Sequence, residues 1–156
     1  MSKGRSTTEL DQILGKMNPD KIQDYLWENR DDMFIGKEAF TDYMRTMFKE
    51  KKVSQQEVFL KADMPERYGY KIISGEKHTL QRDVILRLCI AAGFDVTETG
   101  RALKLYGFSE LYSKVPRDAV IISFINSNKR DIEEINSTLT NHKFEELYSF
   151  RSDSES

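Results

Sequence analysis

Proline occurs three times in 156 residues, histidine twice, and cysteine and tryptophan once each. Each scarcity closes off a class of protein. A lone thiol, Cys89, makes no internal disulfide, so this is not a small scaffold held by cross-links. Cys89 lies in the apolar run VILRLCIAAGF and reads as a buried hydrophobe. His78 and His142 stand far apart with no clustered cysteines, which argues against a zinc site. No apolar run is long enough to span a bilayer, and MSKGRSTTELDQ has no apolar core of a signal peptide. The expectation is a cytoplasmic protein without membrane association. There is no nucleophile–base signature, no phosphate-cradling glycine loop and no spaced carboxylate pair. No catalytic residue, metal or cofactor is therefore assigned, and an enzyme is not expected.

What is present is helical periodicity. Residues 9–17 read as a short helix, and Asn18 before Pro19 reads as a cap and first turn leading to the stripe Ile22, Tyr25, Leu26. Gly36 breaks that pattern. In KEAFTDYMRTMFKEKK the residues Phe40, Tyr43, Met44, Met47 and Phe48 share one face. The tetrad SQQE, Ser54 to Glu57, has capping-box form and opens a helix carrying Val58, Phe59 and Ala62. DMP interrupts it, because a residue before proline is pushed out of the helical region. Pro65 starts the next helix and Gly75 stops it.

The strongly apolar QRDVILRLCIAAGF turns Val84, Ile85, Leu88 and Ala92 inward and ends at Gly93. Thr97 is read as the cap of VTETGRALKLYG, with Leu103 and Tyr106 inward and Gly107 closing it. Pro116 opens PRDAVIISFINSN, and Asp131 with Glu134 leads Ile132, Ile135 and Leu139 at helical spacing. KFEELYSF adds a last turn, and RSDSES reads as a disordered tail alternating serine with acid. The expected organisation is an N-terminal helical extension at 1–36, a central domain at 37–107, a C-terminal helical extension at 108–150 and the tail at 151–156.

Charge is spread unevenly. There are 5 Lys+Arg against 7 Asp+Glu in 1–36, 11 against 9 in 37–95 and 8 against 10 in 96–156, so only the middle is basic. A formal net charge of −2 does not exclude a polyanion partner, since binding depends on the charge that faces the phosphates. It does disfavour tight non-specific binding.

Three segments carry a family resemblance. VSQQEV resembles the start of a second helix, KADMPERYGYKIISGEK a turn, recognition helix and closing glycine, and TLQRDVILRLCIAAGFDVTE a fourth helix and the exit to a fifth. Together they resemble the Cro/lambda-repressor-like helix-turn-helix regulators, also called the xenobiotic-response-element family, over roughly 60 residues from Tyr43 to Leu103. The chain departs from the family in having Asp63 where the inter-helix turn usually has glycine, Ile73 for a common glutamate and Thr79 for a loop proline.

The resemblance implies an all-α fold with a lambda-repressor-like five-helix DNA-binding core and helical extensions at both ends. It also implies a sequence-specific regulator that reads double-stranded DNA as a homodimer, with the helix at about 65–74 in the major groove. By position, Gln55 corresponds to a phosphate-pinning glutamine. Glu66, Arg67 and Lys71 correspond to base readers, with Tyr70 beside them. Ser74, Lys77 and His78 fall where backbone contacts occur. Chemistry agrees in part, because Arg67 can bond guanine through two donors and Glu66 can accept from cytosine. From 65 to 82 there are 4 Lys+Arg against 2 Asp+Glu, a presumed face of +2. The competing expectation is a protein-interaction adaptor that keeps the fold without DNA, for which Asp63, Glu66 and Glu76 speak. The apolar residues of 120–125 with Ile132, Ile135 and Leu139 either complete the core or form a dimer surface.

Overall fold

Each of the three prolines opens a helical element, where its missing N–H costs nothing and its fixed φ suits the first turn. Pro19 begins a 3₁₀ turn (Pro19–Lys21), Pro65 is the N-cap of a helix and Pro116 is the first residue of another. In this computed structural model, which describes residues 5–29 and 38–148, nine α-helices and no strand occur among the described residues. They are α1 (Thr7–Gly15), α2 (Ile22–Glu28), α3 (Ala39–Lys51), α4 (Gln55–Lys61), α5 (Glu66–Ser74), α6 (Arg82–Ala92), α7 (Val96–Tyr106), α8 (Pro116–Asn126) and α9 (Ile132–Asn141). The break expected at Gly36 and the tail RSDSES lie outside the described residues.

The chain divides into two units, Met1–Gly36 and Lys37–Ser156. In the first, Ser6 accepts from the Glu9 N–H and Asn18 from the Asp20 N–H, so both local caps form. Arg5 donates to Asn29 at 2.7 Å, and Asn29 donates to the Tyr25 carbonyl. The helix read at 9–17 begins two residues earlier. Only Tyr25 of the expected stripe is buried, while Ile22 and Leu26 stay exposed.

The second unit is built around α6. Every residue from Val84 to Ala92 is buried, so this helix has no solvent face. It packs against α4 and α7, α3 packs against α5 and α7, and α8 packs against α7 and α9. One core runs from Phe40 to Leu147, and α8 and α9 share it with the preceding helices. The α3 face expected from spacing is buried throughout: Phe40, Tyr43, Met44, Met47 and Phe48. Ile121, Phe124, Ile125, Ile132, Ile135 and Leu139 are likewise in the core. Cys89 is fully buried, and desolvation pushes its thiol far above the ordinary range, which makes it unreactive.

Two caps differ from expectation. Asp95, not Thr97, caps α7: it accepts from the Glu98 N–H at 2.8 Å while Glu98 accepts from the Asp95 N–H at 2.9 Å. Asp95 wins because its side chain precedes the first helical residue, where an acceptor can reach the free N–H groups. Asp131 accepts from Glu133, with no reciprocal bond from Glu134. Residues 144–148 are irregular, neither helix nor strand, where a last helical turn was expected. They are held there by side chains of three helices. Asn136 takes the Leu147 N–H, Asp83 takes the Tyr148 N–H, and Arg117 donates to the carbonyls of Glu145 and Glu146.

The starts of α6 and α8 are joined by two reciprocal ion pairs, each through two hydrogen bonds. Arg82 donates to both Asp118 oxygens at 2.9 and 3.0 Å, and Arg117 to both Asp83 oxygens at 3.1 and 2.9 Å. Arg82 also donates to the carbonyls of Ser109 and Glu110, which fixes the loop before α8. Burial raises the Asp118 carboxyl, but the bonds from Arg82 and the Tyr112 N–H outweigh it and hold it below its ordinary 3.8. A carboxylate depressed on folding stabilises the fold above its unfolded value and loses that contribution as pH falls through the folded one. The urea midpoint is therefore expected to fall below about pH 4, and Asp118→Asn to lower it at pH 7 while flattening that acid decline.

Candidate nucleic-acid interface

α4 and α5 follow each other across the four residues 62–65. The Met64 N–H reaches the Phe59 carbonyl at 3.0 Å, and Asp63 takes the left-handed conformation at φ +53°. Asp63 adopts this conformation at the modest cost a short polar side chain bears there. Gly75 ends α5 at φ +83°, a conformation that favours glycine.

Inside this pair Gly69 is required by close approach. A Cβ there would lie 2.4 Å from the Phe59 ring, whose side chain is 1% exposed and has nowhere to go. Gly69→Ala is expected to lower the melting temperature by several degrees. Overpacking of about 1–3 kcal/mol exceeds the roughly 1 kcal/mol that alanine adds to helix propensity. A thermal melt followed by circular dichroism tests it. From the other side, Thr41 of α3 donates to the Ile73 carbonyl at 2.6 Å and ties down the end of α5.

α5 thereby buries Tyr68, Gly69, Ile72 and Ile73 and turns Glu66, Arg67, Tyr70 and Ser74 outward. Glu66, Arg67, Tyr70, Lys71 and Glu76 line one shallow, open concavity. Of the two tyrosines, Tyr68 is the core residue at 4% exposure and Tyr70 the surface one at 40%. The Tyr70 ring meets Phe59 edge-on at 5.0 Å. Partial burial and the neighbouring Glu66 carboxylate raise its hydroxyl above the ordinary phenol value, so it stays protonated and able to donate.

Glu66 accepts from Gln56 of α4 at 2.9 Å, so a bond across the two helices restrains it. Gln55 is half-buried at the first position of α4. Ser54 accepts from the Glu57 N–H, while the Glu57 carboxylate takes the Ser54 hydroxyl instead of its N–H. Ser74 donates to the Lys71 carbonyl and accepts from the Glu76 N–H, which closes the turn after α5.

The loop beyond is pinned by aromatics. Lys77 sits 5.2 Å above the Tyr68 ring, and His78 stacks on Tyr106 at 4.6 Å with the rings 3° from parallel. The Tyr106 hydroxyl takes the Thr79 N–H at 2.7 Å, and its ring also meets Phe40 and Phe108. Thr79, where the family has proline, is fully buried and holds the loop by hydrogen bonding.

One electrostatic expectation changes. Arg82, counted as part of the basic footprint, is neutralised by Asp118. The outward face then carries Arg67, Lys71 and Lys77 against Glu66 and Glu76, a net of +1 and not +2.

Sequence reasoning missed Arg87. Nearly buried, at 5% exposure, it donates to the carbonyl of Ala62 at 3.0 Å, of Leu147 at 3.1 Å and of Tyr148 at 2.9 Å. It links the end of α4, just before the turn, to the last described segment. Burial lowers its pKa, and Asp63, Asp83 and Glu146 act against that. The signal was in the sequence: a lone arginine inside VILRLCIAA has no polar face to occupy.

Among the described residues, no three His, Cys, Asp or Glu side chains gather as a metal site, and no helix is long and apolar enough to cross a membrane. No protein-family model, curated protein or solved structure matches the chain significantly.

Proposed function

We propose that this chain is a cytoplasmic, sequence-specific regulator of the Cro/lambda-repressor-like type, which lays α5 in the major groove of double-stranded DNA as a homodimer. The observation that carries the reading is the outward face of α5. Arg67 and Lys71 lie one helical turn apart beside exposed Tyr70, on a helix fixed by Gly69, Thr41 and the Asp63 turn. Arg67 is exposed, and its guanidinium suits the paired acceptors of guanine. In this reading Lys77, half-buried over the Tyr68 ring, contacts phosphate, and Gln55, at the start of α4, makes a backbone contact. The face is only weakly basic, so selectivity rests on base contacts more than on bulk attraction.

Lys77→Ala is expected to weaken every duplex alike and to reduce the slope of log affinity against log salt by about 0.9, the contribution of one phosphate contact. Fluorescence anisotropy across a salt series measures it. If Lys77→Ala changes affinity on some sequences and not others, the assignment of Lys77 to the backbone is wrong.

A second reading, an adaptor that binds protein, draws on Glu66 and Glu76 in the same concavity and on Leu60 and Leu80, which are 82% and 84% exposed. Retention on heparin up to moderate salt favours the first reading, and passage without retention favours the second.

A further inference from the structure

We propose that residues 144–148 are a releasable strap, whose docking on α6, α8 and α9 stiffens the turn between α4 and α5 and whose release loosens it. The physical basis is independent of DNA. Only the purpose, control over the helix that reads the groove, rests on the function proposed above.

Residues 145–148 have no helix or sheet of their own to satisfy the backbone, and side chains of the helices do so instead. Arg117 of α8 donates to the carbonyls of Glu145 and Glu146, Asn136 of α9 accepts from the Leu147 N–H, and Asp83 of α6 accepts from the Tyr148 N–H. Arg87 of α6 donates to the carbonyls of Leu147 and Tyr148. A bound peptide is held in the same way, by main-chain hydrogen bonds with a side chain as anchor. The anchor here is Leu147, which is buried, while Glu145 and Glu146 face solvent. Residues 140–143 before it are exposed, and Lys143 takes the left-handed conformation at φ +64°. At that hinge the chain can swing without uncovering other core residues.

Two features make the docking weaker than the core that receives it. The strap buries Leu147 and only part of Phe144 and Tyr148, whereas α6 is buried from Val84 to Ala92. Docking also keeps water from a charge, since Arg87 lies beneath the strap and its desolvation opposes the charged state. That cost offsets part of what its hydrogen bonds contribute, and release returns water to the guanidinium. The same group makes the coupling. Its Nη1 donates to the carbonyl of Ala62, the C-cap of α4 and the neighbour of Asp63. While the strap is docked, the bonds to Leu147 and Tyr148 fix the plane of the guanidinium. Release removes them, and the side chain that holds the end of α4 gains freedom to rotate. The turn at 62–65 then loses stiffness, and with it the placement of α5.

The test is amide hydrogen exchange of the full chain without DNA, for wild type, Leu147→Ala and Asn136→Ala, with circular dichroism melts as the folding control. Asn136 is only half-buried, so its variant decides the matter if Leu147→Ala does not fold. In wild type the Leu147 and Tyr148 amides are expected to be at least about tenfold less protected than those in the middle of α6. Asn136→Ala removes the acceptor of the Leu147 N–H and lowers strap protection by about threefold to tenfold, the effect of one hydrogen bond. Leu147→Ala lowers it further. In both variants the amides of Met64 and Gly69 lose protection by a matching factor, while those of α7 do not change. Strap amides that open only together with α6 in wild type overturn the proposal, because 144–148 is then ordinary core. So does faster exchange confined to the strap in the folded variants, because Arg87 then transmits nothing to the turn. With DNA absent, failure of the DNA reading leaves this result standing, and failure here leaves α5 to be judged by its own test.

Discussion

Arg67→Ala/Lys71→Ala is expected to reduce binding of a selected DNA site to the level of unrelated duplex while leaving the melting temperature within a few degrees of wild type. Arg67 is exposed and Lys71 half-buried, and both lie on the outer side of α5, away from Tyr68, Ile72 and Ile73. A good two-donor base contact discriminates by about 1–3 kcal/mol, so losing Arg67 alone costs roughly fivefold to more than a hundredfold, and losing Lys71 with it costs more. The residues are one turn apart and share a groove wall, so the double loss need not equal the sum of the single ones. Glu66 sharpens the contrast. Held by Gln56, it is an acceptor on the same face and would offer a bound duplex nothing to compensate for the missing cations. Affinity measured by anisotropy on cognate and scrambled duplexes gives the answer. An unchanged ratio between them in the double variant removes α5 as the reading helix.

Arg87→Met is expected to destabilise the fold by about 3–5 kcal/mol, the largest effect of any single substitution considered, because it strips a charged donor from two buried carbonyls and one partly buried one at once. Methionine approximates the volume, so the loss reports the hydrogen bonds more than a cavity. The carbonyls of Ala62 and Leu147 would be left buried and that of Tyr148 partly buried. A urea melt reads the stability. A loss under about 1 kcal/mol would mean that water or a shift of residues 147–148 replaces the guanidinium at little cost. Ala62 precedes the Asp63 turn, so the variant should also loosen α5 relative to α4, visible as faster amide exchange in α5 than in α9.

Much of the helical pattern is local chemistry and therefore legible. Glycines at 75, 93 and 107 end helices with positive φ, prolines at 19, 65 and 116 begin them, and the five apolar positions of α3 share a face by spacing alone. The error at Thr97 is also local. Asp95-x-x-Glu98 carries the reciprocal capping pattern, and reading the later threonine overlooked it. By contrast, nothing near Arg82 in sequence points to Asp118, or near Asp83 to Arg117. Their pairing depends on α6 and α8 starting side by side, which tertiary packing decides. The site is intermediate. Spacing separates Tyr68 from Tyr70 without saying which faces in; packing buries Tyr68 beneath Lys77 and leaves Tyr70 at the surface, edge-on to Phe59. Neither the bond from Gln56 to Glu66 nor the stacking of His78 on Tyr106 follows from composition, because each joins different elements.

The central claim, that α5 reads DNA sequence, is tested most directly by selection from a random double-stranded library at about 0.15 M salt, with wild type and Arg67→Ala/Lys71→Ala in parallel. The account predicts enrichment of a two-fold symmetric motif with half-sites about 34 Å apart, lost in the double variant. No enrichment by a chain that circular dichroism reports as folded, or the same motif retained by the double variant, would contradict it.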